Sequence, residues 1–179
     1  MYTALHRARM ANSHPVLAAA GITAELIGRG VLGVVTAMLF LSIVPNLTGW
    51  SSQVVMSGSM MPRVAPGDVV VTAPVRPETL IPGQIILMEN PARPGTLLMH
   101  RLVSRNLDGT LVTRGDANRE ADSTPVAPSM VRGLPRLRIP YIGLPTIWLH
   151  HGDYGPVALT AIALLAALAL CARRSPMNT

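Results

Sequence analysis

The sequence predicts a mostly β domain that is flanked by two transmembrane helices. Two long stretches of the chain carry no charged residue, which is typical of membrane-spanning helices. Short runs of Val, Ile and Leu, separated by Gly, Pro, Asn and Asp, fill the region between them. That middle region has about a hundred residues, which is enough for one small hydrophobic core.

The first uncharged stretch runs from Gly30 to Trp50 and reads GVLGVVTAMLFLSIVPNLTGW. At about 1.5 Å per residue, a helix of this length just crosses a hydrocarbon core of roughly 30 Å, and Trp50 would lie at the interface. A cleaved leader would also be apolar, but the preceding polar stretch is long and no small-x-small site directly follows. The pattern favours a retained anchor at residues 30–50, preceded by a tail at residues 1–29.

Five aliphatic runs in the middle region, residues 51–154, predict β-strands. The strands are expected at residues 68–74, 84–89, 96–104, 110–114 and 136–142. Asp108–Gly109 predicts a hairpin turn, and Gly67 with Asp68 predicts a turn in which the glycine has a positive φ and the carboxylate caps it. No helical period of useful length appears in this region.

The second apolar stretch, residues 155–172, reads GPVALTAIALLAALALCA. A buried core helix is the alternative, but in a small domain such a helix would carry a polar stripe, and this stretch is apolar on every face. We therefore expect a short transmembrane helix here, followed by a tail at residues 173–179.

Arginines mark the outer ends of both apolar stretches. Arg7, Arg9 and Arg29 precede the first, whereas Arg173 and Arg174 follow the second. By the positive-inside rule, both tails are expected in the cytoplasm and the β domain outside it. The sequence thus predicts an integral protein of the plasma membrane, with the lipid bilayer as a partner and the β domain on the extracytoplasmic side.

The composition excludes several kinds of chemistry. All fifteen basic residues are Arg, and the absence of Lys excludes a Schiff base, a P-loop lysine and a Ser–Lys catalytic pair. The single cysteine, Cys171, excludes an internal disulfide and a thiolate-based structural zinc site. The net charge of +6 would suit nucleic acid, but no recognition motif accompanies it, so no nucleic-acid partner is predicted.

The stretch SGSMMPRVAPGD, residues 57–68, is either a simple turn or the site of a serine nucleophile. A catalytic serine needs a base, and without Lys the base must be His. Four of the five histidines lie before or beside the apolar stretches: His6, His14, His150 and His151. His100 instead lies inside an apolar strand, where a core histidine with a backbone partner is the alternative.

The stretch TRGDANREAD, residues 113–122, supplies Asp116 and Asp122 on a loop. A solvated turn with a local carboxylate hydrogen bond is the alternative for this stretch. Because a catalytic histidine needs a group that orients it, two acids after a serine cluster and a strand histidine indicate a hydrolytic site.

These motifs together resemble a type I signal peptidase, in the branch of the endoplasmic reticulum, archaea and some bacteria, in which His replaces the bacterial general-base Lys. The resemblance runs from about Val54 to Gly143 and rests on SGSMMP followed by GD, on HR, and on GD with a second Asp six residues later. IPYIG is similar to the closing strand of that family. The chain departs from the family at Ala117 and Ala121, where further Asn or Asp residues are usual.

The resemblance implies a signal-peptidase-like β catalytic domain in which Ser59 is the nucleophile and His100 the general base. It matches Asp122 and Asp116 to two important aspartates, and leaves open which of them contacts His100. It also implies that Ser57 helps to bind the oxyanion, that no metal or organic cofactor is required, and that the partners are the signal peptides of secretory preproteins and the secretion translocon.

Two other functions remain open from the sequence. The β domain could be a catalytically silent scaffold or partner subunit of a membrane complex. It could also be a processing peptidase that is dedicated to a few substrates.

Overall fold

The computed structural model of the protein describes residues 15–172. Residues 1–14 of the expected N-terminal tail and the whole tail at residues 173–179 lie outside the described residues, as do four of the five arginines on which the expected orientation depends. The helices are α1 Pro15–Ile43, α2 Leu144–His151 and α3 Tyr154–Ala172. The strands are β1 Ser51–Val54, β2 Val69–Ala73, β3 Ile85–Glu89, β4 Leu97–Arg105, β5 Leu111–Arg114 and β6 Val131–Ile139.

The six strands form one antiparallel sheet in the order β1-β2-β6-β3-β4-β5, which confirms a mostly β domain. Strand β6 joins the two halves of the sheet, because its later residues pair with β2 and its first residues pair with β3. Gly133 lies at this junction, where a Cβ would be only 2.2 Å from the carbonyl oxygen of Ala73. A side chain at position 133 would therefore push β2 and β6 apart.

The expected strands at residues 68–74, 84–89, 96–104 and 110–114 are confirmed as β2 to β5. The expected hairpin turn is also confirmed: Gly109 has φ +85°, and Asp108 Oδ1 accepts the Thr110 amide at 2.9 Å. The expected strand at residues 136–142 begins earlier and ends earlier, as β6. Strand β1 was not expected, and the expectation of no helix in the middle region is wrong for α2.

The interior consists of apolar clusters on both faces of the sheet. Val70 packs with Met60 and Val64, whereas Val69 and Val71 pack with Ile139 on the other face. This alternation follows from the two-residue period of a strand, and all five residues of β2 are buried. The loop that carries Ser59 is thereby anchored to the central part of the sheet.

Within residues 15–172, one helical segment, Gly21–Thr48, is long and apolar enough to cross a membrane. It starts nine residues before the expected span at Gly30 and includes Glu25 and Arg29, whose side chains form an ion pair at 2.6 Å. The second expected span forms α3, whose apolar stretch, Tyr154–Ala169, is shorter. The chain divides into a helical unit, which ends at Thr36 and resumes at Ala158, and a β unit, Ala37–Val157.

Candidate active site

Ser59 lies in a tight turn between β1 and β2. The next residue, Met60, is 1% exposed and fixes the turn in the apolar cluster with Val64 and Val70. Inside the turn, the Met61 amide donates to the carbonyl oxygen of Gly58 at 3.0 Å. The Ser59 hydroxyl lies 3.4 Å from the Ser57 hydroxyl, so the two predicted serines are neighbours.

Gly67 and Asp68 close the far end of this loop in the way the sequence predicts. Gly67 has φ +92°, a conformation that favours glycine. The buried Asp68 carboxylate accepts the Ala65 amide at 2.8 Å and pairs with the Arg138 guanidinium at 2.7 Å. The serine loop is therefore held at Met60 and at the end that leads into β2.

His100 lies in the middle of β4 and is 4% exposed. Its Nδ1 is 2.6 Å from Oδ2 of Asp122. The same oxygen accepts a hydrogen bond from the Thr113 hydroxyl at 2.6 Å, and the Asp122 amide donates to the Thr113 carbonyl at 2.8 Å. Because a carboxylate only accepts, Nδ1 carries the proton in this bond, and the free ring nitrogen of a neutral imidazole is an acceptor.

That second nitrogen, Nε2, is buried and has no hydrogen-bond partner among the described residues. It lies beside Gly115: a Cβ at this position would be 3.0 Å from Nε2 and 2.7 Å from the Ser59 carbonyl oxygen. The histidine ring and the serine backbone thus converge on one glycine. The Ser59 hydroxyl is not hydrogen-bonded to Nε2 in this structure, a separation that is common in hydrolases without substrate.

The backbone after Gly115 also holds the serine loop. The Ala117 amide donates to the Ser59 carbonyl at 2.8 Å, and the Asn118 amide donates to the Gly115 carbonyl at 3.0 Å. The loop between β5 and Val126 therefore contacts both His100, through Asp122, and Ser59, through a backbone hydrogen bond.

Asp116 makes a different contact. Its two carboxylate oxygens accept hydrogen bonds from Nε and Nη2 of Arg101 at 2.7 and 2.6 Å. The hydrogen bonds from Arg101 hold the pKa of Asp116 below its usual range, with smaller contributions from the charges of Arg101, Arg63 and Arg114 and against the effect of partial burial. The structure thus joins Asp122 to His100 and separates Asp116 from it.

Three further residues contact the predicted site residues, although no role was predicted for them: Arg101, Thr113 and Gly115. Arg101 belongs to the HR pair, and Thr113 and Gly115 belong to the TRGD stretch. The two-residue period of β5 could have placed Thr113 on the buried side together with Leu111, since both are fully buried. In the described part of the chain, no three His, Cys, Asp or Glu side chains are grouped to hold a metal ion.

An open cleft of about 340 Å³ begins at Ser57. Its walls are residues 53–57 on one side and Leu97, Leu98 and Met99 of β4 on the other, and most of the lining side chains are apolar. Among the described residues, β1 pairs with no strand other than β2, and on its other edge the Ser52 amide donates to Asn46 Oδ1 at 2.9 Å. The rest of that edge can pair with an extended peptide.

No protein-family model matches the chain, and no curated protein matches it significantly. What the site can do therefore follows from its geometry. A buried imidazole that is held by a carboxylate, and that has a free acceptor nitrogen beside a serine backbone, is suited to proton transfer from that serine.

Proposed function

We propose that this protein is a membrane-bound serine endopeptidase of the signal peptidase I type, which removes signal peptides from exported preproteins. One observation carries the proposal: His100 Nδ1 is 2.6 Å from Asp122, while its buried Nε2 has no partner among the described residues and lies next to the Ser59 loop. This is the order of groups that a serine nucleophile requires.

In this mechanism the Ser59 hydroxyl must turn from Ser57 toward His100, so that it can donate its proton to Nε2. Oγ attacks the scissile carbonyl carbon while Nε2 accepts the hydroxyl proton. The Asp122 carboxylate stabilises the imidazolium that forms. The tetrahedral intermediate collapses to a Ser59 ester when the C–N bond breaks and the imidazolium gives its proton to the leaving amine.

Water then completes the reaction by the reverse sequence of proton transfers. His100 takes a proton from the water as it attacks the ester, and the proton returns to Ser59 Oγ when the ester bond breaks. The oxyanion of both tetrahedral intermediates would accept hydrogen bonds from the Ser59 amide and from the Ser57 hydroxyl, whose position 3.4 Å from Oγ suits this role.

The cleft supports a peptide substrate. Its apolar lining suits an extended segment with small apolar side chains next to the scissile bond, and the outer edge of β1 beyond Ser52 can supply main-chain hydrogen bonds. The family that the motifs resemble cleaves at small-x-small sites, which are extended segments of this kind.

The membrane attachment in this proposal uses both apolar helices. Helix α1 continues through a 3₁₀ turn, Val44–Thr48, so only Gly49 and Trp50 separate it from β1. We propose that α1 and α3 both cross the plasma membrane, that both tails are cytoplasmic, and that residues 51–154 are outside. The translocon would then deliver preproteins to the extracytoplasmic side.

Kinetics on a synthetic peptide test the proposal. The full-length protein in detergent should cleave a peptide that spans a small-x-small site, and Ser59→Ala and His100→Ala should each lower kcat/KM by at least about 10³-fold. Ser57→Ala should cost about 10- to 10³-fold, because the Ser59 amide remains as a donor. Ser104→Ala, an exposed serine on β4, is the matched control and should cleave like the wild type. Undiminished cleavage by Ser59→Ala would contradict the mechanism, and a protein without any activity would favour a scaffold.

A further inference from the structure

A second cleft adjoins the cleft beside Ser57. This second cleft, of about 280 Å³, shares Gln53, Thr72, Leu87 and Leu97 with the first and reaches Gly49 at the end of the helical segment. The two clefts therefore form one groove, which leads from Ser57 toward Gly49, just before β1.

The charged side chains that line this groove are all positive. Of the described residues that line it, only Arg93 and Arg132 are charged, and none is a carboxylate. Arg132 is paired with Glu89 on β3. The Arg93 guanidinium has neither an ion pair nor a hydrogen bond within the described residues, so it is the one uncompensated charge of the groove there.

Hydrogen bonds hold the backbone of Arg93 in place, whereas its guanidinium has no partner among the described residues. Arg93 lies in the turn between β3 and β4, where its amide donates to the Asn90 carbonyl at 3.1 Å and its carbonyl accepts from the Thr96 hydroxyl at 2.7 Å. A rigid backbone reduces the conformational entropy that an arginine loses when it binds a ligand.

The distance from His100 to the turn of Arg93 can be given as a number of residues of an extended substrate. Between His100 and the turn of Arg93, the wall of the groove is formed by Met99, Leu98, Leu97 and Thr96. An extended peptide rises by about 3.3 Å per residue, like a strand, so about four to six of its residues span this wall.

We propose that Arg93 forms a subsite for a carboxylate side chain about four to six residues N-terminal to the scissile bond. This inference rests on the proposed function, in which the part of the substrate that precedes the scissile bond lies in the groove from Ser57 toward Gly49. The peptide substrates that the enzyme prefers would thus combine small apolar residues at the cleavage site with an acidic residue upstream.

Binding to the inactive enzyme tests this subsite. Fluorescent peptides with Glu, Gln or Lys at each of the three upstream positions are titrated against full-length Ser59→Ala in neutral phosphatidylcholine vesicles. At one position, the Glu peptide should bind about threefold to tenfold more tightly than the Gln peptide, as expected for a partly exposed ion pair. Arg93→Gln should remove this preference, and Arg93→Glu should transfer it to the Lys peptide. Arg76→Gln, which changes an arginine outside the groove, should keep the preference for Glu.

The outcomes separate this inference from the proposed function. Equal binding of the Glu and Gln peptides, with cleavage of both by the wild type, overturns the subsite and leaves the peptidase proposal intact. Absence of both binding and cleavage overturns the two together. Loss of the Glu preference when phosphatidylglycerol is added to the vesicles, with lipid binding that depends on Arg93, would show that the arginine binds lipid phosphate and would overturn the peptide assignment.

Discussion

His100 and Arg101 are adjacent on β4 and each contacts its own aspartate of the loop that follows β5. Since successive side chains of a strand point to opposite faces, one loop can hold two carboxylates in two environments. Asp122 lies against the ring nitrogen of His100, whereas Asp116 forms a two-bond pair with the Arg101 guanidinium. We infer that Asp122 orients the base and that Asp116 positions the loop.

Substitution of the two aspartates should separate these roles. Asp122→Asn keeps the shape of the side chain but removes the charge that stabilises the imidazolium, so kcat should fall by about 10²- to 10⁴-fold with little change in Tm. Asp116→Asn should lower the free energy of unfolding by about 1–3 kcal/mol, because the Arg101 side chain, only 25% exposed, loses its partner. Peptide kinetics and thermal unfolding of both variants measure this. A greater loss of kcat in Asp116→Asn than in Asp122→Asn would reverse the assignment.

The Arg101–Asp116 pair also predicts a pH dependence of stability. The pKa of Asp116 is lowered in the folded protein, chiefly by its hydrogen bonds from Arg101. A lowered pKa means that the pair stabilises the fold fully above the unfolded value of about 3.9 and loses this contribution as the pH falls below it. The Tm difference between wild type and Asp116→Asn should therefore be constant from pH 7 to pH 5 and shrink toward pH 2. A difference that is unchanged at pH 2 would show that the pair does not stabilise the fold through its charge.

The loop from Gly115 to Asp122 is the element that unites the site, because its backbone holds Ser59 and its last carboxylate holds His100. Gly115 leaves no room for a side chain, because the Ser59 carbonyl and His100 Nε2 are both within 3.0 Å of where a Cβ would lie. A backbone oxygen cannot move aside as the end of a flexible side chain can. A methyl group here must displace the serine loop, the ring, or both.

Gly115→Ala should accordingly reduce kcat/KM by at least about 10²-fold, since small displacements of reacting groups are costly. Gly155→Ala is the matched control, because a Cβ at that glycine meets nothing within 4 Å. Peptide kinetics together with circular dichroism distinguish a displaced site from an unfolded domain. Wild-type activity in Gly115→Ala would mean that the convergence at this glycine does not matter for the reaction.

The elements differ in how well the sequence predicts them. Strands β2 to β5 were predictable because runs such as DVVVTAP and QIILME combine β-branched residues with flanking turn residues. Strand β1, SSQV, is too short and polar to show a pattern, and it is a strand because β2 pairs with it. Helix α2 has only eight residues, which is too few to display a helical period.

The site was predictable to a similar degree. The sequence motifs gave Ser57, Ser59, His100 and the two aspartates, because each belongs to a short motif with chemistry of its own. The choice between Asp116 and Asp122 was not predictable, since it depends on which face of β4 each carboxylate meets. The role of Gly115 was also hidden, because the atoms that exclude a side chain there come from residues far apart in the chain.

For the molecule as a whole, the proposed topology predicts that residues 51–154 are accessible only from outside the cell. Leu107, at the fully exposed tip of the hairpin between β4 and β5, is a suitable reporter. In a Cys171→Ser background, Leu107→Cys should react with a membrane-impermeant maleimide in intact cells, whereas Ser13→Cys should react only after the cells are permeabilised. Protection of Leu107→Cys in intact cells, with labelling after permeabilisation, would place the β domain in the cytoplasm and contradict a role in export.

The most direct test of the central proposal, that Ser59 cleaves signal peptides, is N-terminal sequencing of a preprotein co-expressed with this protein. The host is one whose own signal peptidase is depleted, and the partner is either the wild type or Ser59→Ala at equal abundance in the membrane. With the wild type we expect a mature N-terminus directly after a small-x-small site, and with Ser59→Ala we expect the intact preprotein. The same mature N-terminus with Ser59→Ala, or no processing with either protein, would contradict the claim.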